Sequence, residues 1–462
     1  MTIWTPVLDR SKPIYLAIAD AITHDVEGGT LPTGTRLPPQ RDLAWRLGVT
    51  LGTITRAYKE AEGRGLLAGE VGRGSYIRKS QLPSPLPPSA QRQSGIIDLS
   101  HAVPPPVVTE AEFDDALKAV MRDARRLELL DYAPAEGFPQ QRTMAVDWLK
   151  RCGIEANERE VMISSGAHIA VTMIVSAMTS PGEKVMAEQT NYAHLGNTFR
   201  NAHLQPMALA MDQDGLLPDA FEKAARTGES RLLYIVPTLQ NPTTHTMSRH
   251  RRDAIVAIAR KHNVTILEDD IFRLLDARVQ PPTFYSLAPE RTYHVTSLSK
   301  TLAPGLRIGI IALPHGHDRI LKNHARSTAA RSVGLTGEIA RYWIETGKAD
   351  EILTRNRNEL AVRREGFLET FKGQTLRCEQ GSPFAWLKLP ERWGANRFAA
   401  LLASRNVRVT PESAFHLGSQ MPGNHIRVCF GDSSPTFVTR RAFDTIRDAM
   451  SENPEDEFTP VA

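Results

Sequence analysis

The run Ser297-Leu298-Ser299-Lys300, followed by Ala303-Pro304-Gly305-Leu306-Arg307, places a lysine between hydroxyls and an arginine. A lysine amine so placed can condense with an aldehyde, while Ser297 and Arg307 hold a phosphate dianion by charge-assisted hydrogen bonds. Three other pieces supply compatible chemistry. Ser165-Gly166-Ala167 follows the apolar run Val161-Met162-Ile163-Ser164 and opens an apolar helical pattern, so its backbone N–H groups make a ready phosphate site. Ile266-Leu267-Glu268-Asp269-Asp270 ends a strand pattern in carboxylates, one of which can keep a heteroaromatic ring nitrogen protonated. Asn241-Pro242-Thr243 sets an amide donor where a ring hydroxyl could meet it. Each piece alone has a plainer reading: a surface lysine, a solvated strand end, a turn. Their order along the chain (Ser165, Asn241, Asp269, Lys300, Arg307, then Arg427) is far harder to obtain by chance.

These residues need a frame. The apolar runs VMISS, KVMAE, RLLYIVP, TILEDD, YHVTS and RIGIIAL recur between helical patterns, which argues for an α/β layer with a largely parallel sheet. From about residue 335 the chain mixes helices with WLKLP and IRVCF and reads as a smaller α+β lobe. Residues 81–94 hold four prolines and three serines with no apolar period, the composition of a linker. The expected division is therefore a head over 1–80, a linker over 81–94, a large domain over 95–334 and a small lobe over 335–462.

The head carries its own pattern. Tyr15, Ile18, Ala19, Ile22 and Val26 recur at helical spacing up to Gly28-Gly29. A short helix is expected from Gln40 to Leu47, a turn at Gly48-Val49, and a further helix capped by Thr50 with Ile54, Ala57, Tyr58 and Ala61 inward. Leu66 to Ala68 and Tyr76 to Arg78 flank a glycine-rich hairpin. Two short helices joined by a glycine turn form the helix-turn-helix pattern. Thr50, Gly52, Thr53, Arg56 and Lys59 then face outward. Threonines at the start of such a helix can read base edges, Gly52 allows close backbone approach, and Arg41, Arg56 and Lys59 suit phosphates. Arg73-Gly74 would be the tip of a wing. The plainer alternative is a small helical domain used for packing or dimerisation.

Charge supports the first reading. Residues 37–79 contain eight basic and four acidic side chains, so this one segment matches the +4 of the whole chain. Elsewhere composition is that of a soluble protein, with 41% hydrophobic and 23% charged residues. No apolar run approaches the ~20 residues that span a bilayer. The N-terminus lacks a secretory pattern. Three scattered cysteines, Cys152, Cys378 and Cys429, suit a reducing compartment and neither a disulfide framework nor a metal site. A cytoplasmic protein with no membrane association and no metal is expected.

Two resemblances sharpen these expectations. The segments PIYLAIADAI, GTRLPPQRDLAWRLGVTLGTITRAYKEAEGRGLL and GRGSYI resemble the GntR family of winged helix-turn-helix repressors. That resemblance implies that Arg41, the start of the recognition helix and the wing touch double-stranded DNA. Relatives often carry Ser-Arg or Thr-Arg where this chain has Thr50-Leu51, so the operator does not carry over. The motifs of roughly residues 97–450 resemble the class I and II aminotransferases of pyridoxal-phosphate fold type I, a mixed, mostly parallel sheet with helices on both faces and a small α+β lobe. By that resemblance Lys300 would bond the coenzyme aldehyde and Asp269 would pair with its ring nitrogen. Asn241 would meet the ring hydroxyl and Tyr192 would stack on the ring. Ser165, Gly166, Ala167, Ser297 and Arg307 would hold the phosphate, and Arg427 would take a ligand carboxylate. Tyr132 would reach the phosphate of a partner subunit, which implies a homodimer.

Three positions depart from the family pattern. Ile271 and Phe272 stand where a tyrosine usually bonds the ring hydroxyl, His168 stands where glutamine is common, and Gln141 replaces a common leucine. Head, linker and body together resemble the MocR subfamily of transcription regulators. The expected function is DNA-binding regulation through sensing of an amine or amino acid by a pyridoxal 5'-phosphate site. The alternative is a working aminotransferase, with a lyase or racemase on the same coenzyme as a third reading.

Overall fold

The computed structural model describes the chain apart from residues 1–3, 5, 7, 9–11, 28–30, 32–33, 64–65, 71–73, 78–94, 317, 329–332, 419–422, 432–433 and 455–462. The expected linker and Arg73 at the wing tip lie outside the described residues.

In the head, helices α1 (Ile14–Glu27), α2 (Gln40–Leu47) and α3 (Leu51–Gly63) enclose a small core. Ile18, Ile22, Leu43, Ile54, Ala57 and Ala61 are wholly buried there, joined by Leu67 and Ile77 from a hairpin. The stripe at 54, 57, 58 and 61 therefore does what its spacing requires. Helix α2 stops because Gly48 turns left-handed (φ +65°), its N–H reaching the carbonyls of Ala44 and Trp45. The Thr50 hydroxyl then accepts the Thr53 N–H at 3.2 Å, so the expected cap on α3 forms. Strands β1 (Leu67–Glu70) and β2 (Gly74–Ile77) pair antiparallel, and Arg36 bridges to Tyr76.

The body is built on seven strands: β3 (Val161–Ser164), β4 (Lys184–Glu188), β5 (Gln205–Leu209), β6 (Leu232–Ile235), β7 (Thr265–Asp269), β8 (Thr292–Ser297) and β9 (Gly309–Ala312). Their spatial order is β3-β9-β8-β7-β6-β4-β5. Only β9 runs antiparallel to its neighbours. Helices cover both faces of a parallel sheet, so its inner strands read as unbroken apolar runs. All six expected strands are present. The edge strand β5 was not anticipated, because Gln205-Pro206-Met207-Ala208-Leu209 leaves most of its side chains in solvent.

A second sheet pairs Leu376–Arg377, β10 (Phe384–Lys388), β12 (His425–Cys429) and β11 (Thr410–Pro411), in that order. A short strand, Ile97–Asp98, runs parallel to Val407–Arg408 and ties the start of the body to this region. Leu99, Trp148, Ile163, Leu298, Ile339, Phe367, Val428 and Phe443 belong to one continuous core.

Consecutive strands run outward in opposite directions from the β4–β6 boundary. A crevice therefore opens beyond the carboxyl ends of the strands, the usual place for a ligand in an open α/β sheet.

Candidate functional site

That crevice collects most of the body residues singled out from sequence, since they close or follow strands of the seven-stranded sheet, with Arg427 coming from within β12. Beyond β3, Gly166 caps helix α4 (Ala167–Met178) with φ +99°. A β-carbon on Gly166 would lie 3.0 Å from the Arg307 guanidinium. Across the sheet, Gly309 pairs with Ser164, and a β-carbon there would sit 2.5 Å from the Ser164 hydroxyl and 2.9 Å from the Ala167 nitrogen. Two glycines thus let an arginine and a helix N-terminus converge on one spot, an arrangement suited to a phosphate. Gly309→Ala should destabilise the body by about 1–3 kcal/mol through this overpacking, read as a lower urea midpoint by tryptophan fluorescence. An unchanged midpoint would show that the strand edge relaxes freely.

The three carboxylates at the end of β7 separate clearly. Glu268 accepts the backbone N–H groups of Phe284 and Tyr285, meets His294 Nδ1 at 2.9 Å and lies 3.8 Å from Arg252. Asp270 lies 3.4 Å from Arg273. Asp269 instead accepts the Tyr234 hydroxyl at 2.6 Å through Oδ2, and its buried Oδ1 has no hydrogen-bond partner. Burial pushes Asp269 up to about 6, against the pull of Tyr234. Strand alternation explains the split, because adjacent residues face opposite sides of a sheet.

Beyond β8, the Lys300 amine donates to the Ala102 carbonyl at 2.5 Å. Burial pushes it down to about 8, with Arg427 and Arg307 adding like-charge repulsion. Arg427, on β12, is buried between the rings of Phe415 and Phe384, at 4.8 and 5.5 Å. It donates to Asn241 Oδ1 at 2.7 Å and to the Ser100 carbonyl at 2.5 Å. Asn241 precedes a cis peptide bond to Pro242. The Tyr192 ring meets His194 edge-on at 5.2 Å and His168 at 6.2 Å, and burial pushes its phenol up to about 12.

The Ser297 hydroxyl donates to the Ile308 carbonyl at 2.9 Å and accepts the Ser299 N–H. It is Ser299 whose hydroxyl is buried without a partner. Sequence reasoning passed over Ser299, Tyr234 and the carbonyls of Ser100 and Ala102. A tyrosine inside a wholly buried strand was the one available signal, since a buried phenol needs an acceptor. Phe272, where a tyrosine was expected, is buried edge-on to Phe384 at 5.4 Å. Gln141 donates to Gly334 and Glu338. Tyr132 stands 89% exposed, away from this chain's core.

Residues 94–440 match the family described as aminotransferase class I and II. The chain belongs to that family. Residues 14–77 match the bacterial regulatory proteins of the gntR family, so a GntR helix-turn-helix domain precedes the aminotransferase class I and II domain. Similar proteins share both parts. The uncharacterized HTH-type transcriptional regulator YdeF of Bacillus subtilis is 27% identical over 92% of each chain. The vitamin B6 salvage pathway transcriptional repressor PtsJ of Salmonella typhimurium is 27% identical over 92% of this chain and 96% of its own. Among solved structures, an archaeal alanine:glyoxylate aminotransferase superposes with a TM-score of 0.73 at 22% identity, covering 80% of this chain and 94% of that one. The α-aminoadipate aminotransferase LysN of Thermus thermophilus, complexed with N-(5'-phosphopyridoxyl)-L-leucine, gives 0.69 at 20% identity over 85% and 98%. The aminotransferase fold of the body is thus established.

On the GntR domain, Arg41, Thr50, Gly52, Arg56 and Lys59 are exposed and Thr53 is half-buried. The Thr50 and Thr53 hydroxyls bond each other at 2.9 Å, and the Arg56 guanidinium lies over the Tyr15 ring, 4.0 Å from its centre. Gly74 begins β2. Trp45, one turn after Arg41 on α2, is 85% exposed, a feature the sequence pattern did not bring forward. Among the described residues, no helix is long and apolar enough to cross a membrane.

Proposed function

We propose that this chain is a MocR-type, DNA-binding transcription regulator whose aminotransferase-like domain holds pyridoxal 5'-phosphate and senses an amine or amino acid. The observation that carries the reading is the joining of a GntR domain to an aminotransferase domain in a single chain, an arrangement shared by relatives named as transcriptional regulators.

The body fits the coenzyme on its own geometry. The converging Gly166, Ala167 and Arg307 suit its phosphate, with Ser165, Ser297 and Ser299 in the same two turns. The unpartnered Asp269 Oδ1 suits a protonated ring nitrogen, and Lys300 supplies the amine. Tyr192 would face the ring and Asn241 its hydroxyl. When bound, the coenzyme supplies an aldehyde for amine capture and a ring that withdraws electrons. Lys300 reacts as the neutral amine, which predominates above about pH 8. Coenzyme uptake should therefore quicken ~10-fold per pH unit well below 8 and level off above it, followed as the rate of appearance of visible absorption. A rate that keeps rising ~10-fold per unit from pH 8 to 10 would contradict the lowered amine.

The segment from Ile97 to Val103 offers a route from ligand to head. Its Ser100 carbonyl takes a donor from Arg427 and its Ala102 carbonyl takes the Lys300 amine. A ligand carboxylate at Arg427 competes with Ser100 for the same guanidinium, so ligand capture and segment position are linked. In sequence this segment follows residues 78–94, which lead to the head. The ligand shifts the head only as far as its affinities for the two arrangements differ. We place the protein in the cytoplasm as a homodimer. Leu130 and Tyr132, 84% and 89% exposed, would lie at the subunit boundary, and Tyr132 would reach the partner's phosphate. On DNA, Thr50, Gly52 and Thr53 would approach base edges, while Arg41, Arg56, Lys59 and the Arg73-Gly74 wing would approach phosphates or the adjacent groove.

The test is anisotropy with labelled DNA from the region upstream of the gene, in about 150 mM salt with competitor DNA. Specific binding that shifts on addition of pyridoxal 5'-phosphate is expected. Affinity no better than for random DNA would end the regulator reading. Rapid turnover of common amino donors with 2-oxo acids would favour the aminotransferase instead.

A further inference from the structure

We infer that Tyr234 is a positioning residue for Asp269: its hydroxyl fixes one carboxylate oxygen and leaves the other aimed to receive a coenzyme ring nitrogen. This rests on the reading that the body binds pyridoxal 5'-phosphate.

The placement follows from strand register. On adjacent parallel strands, Tyr234 of β6 lies opposite Leu267 of β7. Asp269 is two residues further on, and therefore on the same face. The phenol runs along the sheet toward its carboxyl edge and donates to Asp269 Oδ2 at 2.6 Å. Both side chains are buried, and Tyr234, wholly so, belongs to the core cluster that also holds Leu195, Phe199, Leu232 and Tyr293. A carboxylate held at one oxygen by a short bond, from a ring that cannot itself turn, loses its freedom to rotate. Its free oxygen, Oδ1, then has a fixed direction. Without that bond, Asp269 could rotate toward Lys300 or Tyr192, whose charges it influences.

The bond also has an electrostatic consequence. It favours the ionised carboxylate, which is the form that keeps a ring nitrogen protonated. Other groups near Asp269 act in both directions, the backbone N–H of Ile271 among those that favour its charge. Asp270 beside it opposes ionisation, and His294 on β8 favours it. Glu188 at the end of β4 is pushed up to about 8 by burial, so it is mostly neutral at pH 7. Tyr234 is the hydrogen-bonding side chain, with Asp270 and His294 acting through space.

The plainer alternative is a core tyrosine that merely found an acceptor. Tyr234→Phe separates the two, because it keeps the ring and removes one oxygen. Coenzyme affinity, titrated by visible absorption with pyridoxal 5'-phosphate itself, should weaken about 10-fold or more, the scale of a hydrogen bond to a charged group. On acidification, the pH at which the coenzyme is released should rise, since the lost donor moves Asp269 further up. In an Asp269→Asn background the same substitution should add little, as expected for residues acting as one unit. Thermal unfolding of the coenzyme-free variant monitors folding. If Tyr234→Phe matches wild type in affinity and release pH, the inference is wrong. If it weakens binding as much in the Asp269→Asn background as it does alone, its role is structural and the inference is again wrong. A wild-type protein that takes up no coenzyme overturns the functional reading first and this inference with it.

Discussion

Lys300→Ala should abolish the visible absorption that the wild-type protein develops with pyridoxal 5'-phosphate. The effect is a loss rather than a reduction, because only a primary amine can bond the aldehyde, and the Lys300 amine is the one the turn after β8 delivers to the crevice. The Gly166–Arg307 cradle is untouched by the substitution, so the coenzyme should still bind, more weakly and without the band. Added methylamine should restore part of it by standing in for the missing side chain. The Ala102 carbonyl also loses its donor, so the segment from Ile97 to Val103 is expected to loosen even before any ligand arrives. A variant that colours as wild type does would show that another amine carries the link.

Why was so much of this site legible in the sequence? Most of its parts sit at or just past the end of a buried strand, and buried parallel strands are the easiest elements to read. The six apolar runs and the cap at Thr50 depend on local spacing alone, and they are found where that spacing puts them. Strand β5 escaped because an exposed edge needs no apolar period. The choice among Glu268, Asp269 and Asp270 was open for a different reason. Three consecutive acids look alike until the sheet turns them to different faces, where Arg252 and His294 meet one and Tyr234 another.

Ser297 and Ser299 are confused by the same logic. Both are hydroxyls beside the lysine, and only the course of the chain at Ile308 shows which is already bonded. Contacts between residues far apart in sequence were not readable at all. The pairing of Arg427 with Ser100 spans 327 residues and uses a backbone carbonyl, which any residue type would supply. Periodicity marks the frame, but long-range hydrogen bonds decide which atoms in it remain available.

Arg427→Leu should separate ligand recognition from coenzyme binding. The guanidinium is buried between two aromatic rings, and its donors are directed at Asn241 and Ser100. A ligand carboxylate entering there would exchange one of those neutral acceptors for a charged one, in a setting that screens little. Truncating one partner of such a buried charged pair costs about 2–5 kcal/mol, so affinity for an α-amino acid should fall ~30-fold or more. The visible band should survive, because Lys300 and the phosphate cradle are left in place. Simple amines without a carboxylate provide the control, and their affinity should hardly change. Titrating a panel of amino acids and amines against the band reads both effects. Equal losses for amines and amino acids would mean that Arg427 shapes the crevice rather than binding the carboxylate. Unchanged amino-acid affinity would remove it from recognition altogether. If the predicted split is found, response of the DNA complex to the amino acid should disappear in parallel, because the Ser100 carbonyl no longer has a guanidinium to give up.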